Sequence, residues 1–71
     1  EHREAAPLIE AAHRVKGAAR MAGYESLADE AARLESVARL RQWDRVAPLA
    51  QSVWQMMQQI ENDIGLWLDE Q

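Results

Sequence analysis

The 71-residue chain contains no cysteine and no phenylalanine, three glycines and two prolines, and its longest apolar stretches run to a few residues. Each shortage excludes something. Without cysteine there are no disulfides and no thiolate metal sites, which fits a reducing compartment. Without a long apolar run nothing inserts in a membrane, and no signal peptide is visible. Glu1 reads as a cut from a longer chain. A domain of this size buries only about 60% of the surface its unfolded chain exposes, so a single small core must suffice. The formal charge is -4, from 12 acidic and 8 basic residues. That argues against a nucleic-acid partner, which calls for a basic face.

What is abundant is Ala, Leu, Glu, Gln and Arg, with few β-branched residues, a composition that favours helix. The spacing predicts an all-α chain of three long antiparallel helices in one domain spanning 1–71. The first covers about 4–21, where Ala5, Leu8, Ile9, Ala12, Val15, Ala19 and Ala22 recur at helical steps. Pro7 falls in its first turn and Gly23 ends it in a left-handed conformation. The second covers about 26–41, with Ser26 and Asp29 as a capping box. Leu27, Ala31, Leu34, Ala38 and Arg41 share one side, which Val37 and Leu40 widen. The third covers about 45–69, with Asp44 as N-cap and Pro48 in the first turn. Val46, Ala50, Val53, Met57, Ile60, Ile64 and Trp67 form a heptad-like seam along it. Trp54 and Trp67 read as packing residues, Trp43 as a cover for one end of the bundle, and Tyr24 as packing beside the first turn. The short links imply antiparallel neighbours.

Charge is unevenly placed. Arg14, Lys16 and Arg20 gather around His13, while from residue 61 onward the charged groups are all acidic. At about 100° per residue, His13 lies roughly 100° from Ala12, the centre of the apolar stripe. A ring at that edge is supported on one side and reaches solvent on the other. Gly17 lies one turn on, nearly above it. Neutral imidazole is a good nucleophile near neutral pH, and nearby cations stabilise a transferred phosphoryl group. Taken singly, these residues have plainer explanations. A histidine on a helix flank is ordinarily a boundary residue, Gly17 could serve close helix packing, and the three cations could be a solvated face. Glu10 and His13 form a Glu-x-x-His pair, as in di-iron bundles, but those need a second such pair and further carboxylates. The chain has no second pair, and His2 would lie about 16 Å from His13 along a helix.

Together, the residues resemble a known family. His13-Arg14-Val15-Lys16-Gly17 is similar to the signature of histidine-containing phosphotransfer (HPt) domains: His, any two residues, Lys, Gly. Gly23, Leu27, Leu34-Glu35 and Trp43-Asp44 resemble the family's downstream positions. The resemblance implies that His13 accepts a phosphoryl group from a receiver-domain aspartate and passes it to another receiver. Lys16 would stabilise charge, Gly17 would give steric access, and Arg14 and Arg20 would take part in docking. It also implies no cofactor of the chain's own, magnesium belonging to the receiver. The partners would be the receiver domains of a hybrid kinase and of a response regulator, in the cytoplasm, for example at the end of a bacterial sensor histidine kinase. The family core is a four-helix bundle, so the fourth helix is missing here or supplied by another chain. A homodimer that pairs or exchanges the long third helix would close the core. The alternative function is a structural helical dimerisation or docking module without transfer.

Overall fold

The computed structural model describes residues 4–69. Three helices follow one another: α1 (Ala5–Ala22), α2 (Glu25–Arg39) and α3 (Trp43–Asp69). The all-α expectation therefore holds, with boundaries shifted by a few residues.

The turns explain the shifts. At the end of α1, Gly23 adopts φ 85°, its N–H donates to the Arg20 carbonyl (3.2 Å), and the Tyr24 N–H donates to the Ala19 carbonyl (2.8 Å). This is the Schellman arrangement, in which the left-handed residue is best a glycine. The same pattern closes α2 without one. Arg41 takes φ 56°, its N–H donates to the Ala38 carbonyl, and the Gln42 N–H donates to the Val37 carbonyl. Arg41 thus lies outside α2 rather than on its stripe. The capping box also fails: α2 starts at Glu25 behind Tyr24, and that end has no side-chain cap. Asp44 lies inside the first turn of α3, which begins at Trp43, so it is not the N-cap. Pro7 is in the first turn of α1 as expected. Pro48 is the sixth residue of its helix rather than the fourth, just past the first turn, and lacks the N–H that would reach Asp44.

α2 is the central element, with α1 and α3 packed on it. The α1–α2 seam is built from small residues: Ala5, Ala12 and Ala19 on one side, and Ala28, Ala31 and Ala38 on the other, all buried. Methyl-sized side chains let the two backbones come close. Leu27, Leu34, Val37 and Val53 supply the bulk of the core, with Leu8, Val15, Val46, Leu49, Met56 and Ile60 packed around them. The Ser52 hydroxyl ties α3 to α2 by donating to the Glu30 carboxylate (2.6 Å), which also accepts from Arg33 (2.8 Å). These bonds hold the Glu30 carboxyl below its ordinary pKa, the Ser52 bond most strongly.

Several expected packing residues face solvent instead. Leu40 is 67% exposed and Trp54 59%. Met57 and Ile64 are exposed too, because α3 turns Leu49, Val53, Met56 and Ile60 toward α2. Tyr24 is exposed at the α1–α2 turn, and Trp43 is half-buried at the start of α3. The Trp67 side chain and His2 lie outside the described residues.

Candidate functional site

α1 is oriented by its alanine stripe, and that orientation fixes everything else on it. With Ala12 against α2, His13 falls on one flank and Val15 on the other. The His13 side chain is 67% exposed, while Lys16 lies lower on the same flank, 19% exposed. Both face a residue of α2. Glu35 stands one turn after Ala31 and three residues before Ala38, so it faces α1 from within the small-residue seam. It is the one buried charged residue among those described.

Glu35 organises the site. The Lys16 ammonium lies 2.8 Å from Oε1. The Arg39 guanidinium donates to Oε2 at 2.8 Å, one turn along α2. The Nδ1 of His13 faces the same Oε2 at 3.4 Å. The Lys16 contact, then that of Arg39, holds the Glu35 carboxyl down at about 2, against the opposing effect of burial. The carboxylate is therefore ionised throughout the neutral range. A charge held this way keeps a cation and an imidazole on one anchor, each with limited freedom.

Gly17 is exposed one turn beyond His13, and a Cβ built there would meet nothing within 4 Å. No helix packs against it, so close packing does not explain the glycine. What it provides is a bare strip of backbone beside the imidazole. Of the other two basic residues, Arg20 follows Lys16 by one turn on the same flank, and Arg14 does not. Arg20 borders a shallow depression with the acidic Glu25 and Asp29 of α2. Arg14 lies across α1, on the rim of the groove between α1 and α3. Met21, next after Arg20, is 92% exposed and extends the outward face of α1.

The sequence pattern points to His13, Lys16 and Gly17, and the fold brings these together. Glu35 belongs to the site as well, beyond what the pattern assigned. The signal was present: a carboxylate interrupting the run Leu27, Ala28, Ala31, Leu34, Ala38 needs a partner if that stripe is buried.

Against known protein families, residues 1–63 match the Hpt domain. The chain belongs to the Hpt domain family. Hpt domains serve histidine phosphotransfer in phosphorelays and interact with receiver domains. No curated protein and no solved structure matches the chain. Among the described residues of this Hpt domain, no helix is long and apolar enough to cross a membrane. Nor does any group of three or more His, Asp or Glu side chains among them come together as a metal site.

Proposed function

We propose that this Hpt domain accepts a phosphoryl group on His13 from an aspartyl phosphate of one receiver domain and returns it to the aspartate of another. The observation that carries the reading is the shared carboxylate. An exposed imidazole and a half-buried ammonium rest on the two oxygens of Glu35, beside a glycine that no packing requires.

The chemistry follows from that arrangement. A carboxylate facing Nδ1 favours the tautomer with the proton there, which leaves the Nε2 lone pair pointing outward. As Nε2 attacks phosphorus, the N–P bond forms, the P–O bond to the donor aspartate breaks, and the aspartate leaves as a carboxylate. The ring becomes cationic, and Glu35 faces the positive edge. In the onward step a receiver aspartate attacks phosphorus and the electron pair of the N–P bond returns to Nε2. Lys16 stabilises negative charge on the phosphoryl oxygens, and Gly17 leaves room for the partner's loops. Glu35 acts through His13 and Lys16 and is a positioning residue. The magnesium that phosphoryl transfer uses is supplied by the receiver. The partners are the receiver domains of a hybrid kinase and a response regulator, and the setting is the cytoplasm.

The test is transfer from a phosphorylated receiver domain to the wild type and to His13→Gln. Acid-labile, alkali-stable label on the wild type alone is the expected result. Absence of label from a folded wild type, with several receivers, would replace this reading with a structural docking module.

A further inference from the structure

Arg39 touches the site through Glu35, yet the transfer chemistry gives it no task of its own. It follows Glu35 by one turn of α2. Its guanidinium nitrogen lies 2.8 Å from Oε2, the same oxygen that the His13 Nδ1 faces at 3.4 Å. The two nitrogens are therefore at most about 6 Å apart. Among the described residues, Glu35 is the one acceptor of the Arg39 side chain. A guanidinium carries five N–H donors in a planar fork. The Arg39 side chain is 60% exposed, so the donors that Glu35 does not take stand open to solvent beside the imidazole.

Charge and placement both favour an anion at this spot. Lys16 and Arg39 bring two positive charges to one carboxylate. With the imidazole neutral, one positive charge is in surplus, within a chain whose formal charge is -4. α1 and α2 are antiparallel, joined by Gly23 and Tyr24 alone. Lys16 comes three residues after His13, about 4.5 Å along α1. Arg39 comes four residues after Glu35, about 6 Å along α2 in the opposite direction. The ring, level with Glu35, thus stands between two cations. The bonding to Oε2 is uneven as well. Arg39 sits at full hydrogen-bond distance, while Nδ1 at 3.4 Å lies beyond the usual range of roughly 2.7–3.2 Å.

We infer that Arg39 is a second phosphoryl-binding cation, which exchanges Glu35 for the phosphoryl oxygens once Nε2 of His13 is phosphorylated, and so leaves Oε2 to the Nδ1 proton. The inference rests on the reading of His13 as the phosphoryl acceptor. Arg39 makes and breaks no bond to phosphorus. It moves from a fixed carboxylate to an arriving anion, and its planar fork matches the oxygens of either. Glu35 loses one partner and gains a closer one, because the phosphorylated ring is cationic and keeps its proton on Nδ1.

The test needs no receiver. Phosphoramidate, a small donor, phosphorylates the domain as Nε2 attacks phosphorus and ammonia leaves. Phosphorus-31 NMR then follows the second ionisation of the phosphoryl group as pH is varied. A cation close by favours the dianion. Arg39→Ala should therefore weaken that ionisation about three- to tenfold, the exposed position holding it below the effect of a buried pair. Glu35→Gln removes the carboxylate through which Arg39 would otherwise act, and in that background Arg39→Ala should weaken the ionisation by the same factor. Should the Glu35→Gln background lose its helical circular dichroism, nitrogen-15 NMR of the wild type decides instead. The Arg39 guanidinium signals should then shift on phosphorylation and follow the phosphoryl titration, and signals that stay in place overturn the inference. An ionisation indifferent to Arg39→Ala also overturns it. So does an effect that vanishes with Glu35→Gln, which would reduce Arg39 to a partner of Glu35. Label on His13 with either of these results removes this inference alone. A folded chain that takes no label on His13 removes it together with the reading on which it rests.

Discussion

Replacing Glu35 by Gln keeps the shape of the side chain and removes its charge, so it isolates the anchor's electrostatic contribution. The carboxyl moves from an ordinary 4.5 to about 2 on folding, chiefly through Lys16 and then Arg39. At 1.36 kcal/mol per pKa unit that difference has a ceiling of about 3 kcal/mol. Arg39 is 60% exposed, and solvent screens its share, which brings the expected loss to about 1–2 kcal/mol at pH 7. In a domain of this size such a loss lowers Tm by about 4–15 °C. The sign of the pH dependence is fixed as well. Folding depresses the pKa, so the stabilisation is complete above about 4.5. It fades as pH falls toward about 2, where the wild type also protonates. The assay is thermal denaturation of both proteins, followed by circular dichroism, at a series of pH values from neutral to acid. The difference between their Tm values should shrink steadily across that window. Equal Tm values at pH 7, or a gap that persists unchanged in strong acid, would refute the anchor.

Three other substitutions separate chemistry from folding. Lys16→Ala should slow transfer from a phosphorylated receiver without abolishing it, because in the proposed reaction Lys16 stabilises charge and does not carry the phosphoryl group; an unchanged rate in single-turnover kinetics would reduce it to a partner for Glu35. Gly17→Leu should slow transfer more than it harms stability, since a Cβ there meets open space, while Gly17→Ala should gain about 0.5–1 kcal/mol in urea denaturation; comparable loss of rate and stability for Leu would count against the access argument. Arg41→Gly should gain about 0.5–1 kcal/mol by relieving a left-handed conformation at φ 56°, and a loss in the same denaturation assay would show that the Arg41 side chain contributes more than its backbone costs.

The parts of the fold legible in the sequence were those governed by periodicity. Ala5, Ala12 and Ala19 repeat every seven residues, and their burial against α2 follows directly. Gly23 announced the end of α1 because a left-handed turn favours glycine. Arg41 gave no such announcement, since it occupies the same conformation with an ordinary side chain, and periodicity alone carries α2 two residues too far. On α3 the difficulty was an excess of signal. Apolar residues there satisfy two registers, and a single seam drawn through them joins Val46, Val53 and Ile60 of one to Met57 and Ile64 of the other. Only the packing on α2 distinguishes the two. The site was legible on α1, where His13, Lys16 and Gly17 fall within two turns. Its other half was harder to see, because Glu35 meets them from a different helix, 22 positions after His13.

In the proposed reaction Nε2 of His13 carries the phosphoryl group while Nδ1 faces Glu35. Long-range proton–nitrogen NMR of the phosphorylated domain, labelled with nitrogen-15, tests it most directly. Phosphorus coupling at the Nε2 resonance of His13 and a protonated Nδ1 are the expected result. Phosphorus on Nδ1, or a His13 ring left unchanged while the protein is phosphorylated elsewhere, would contradict it.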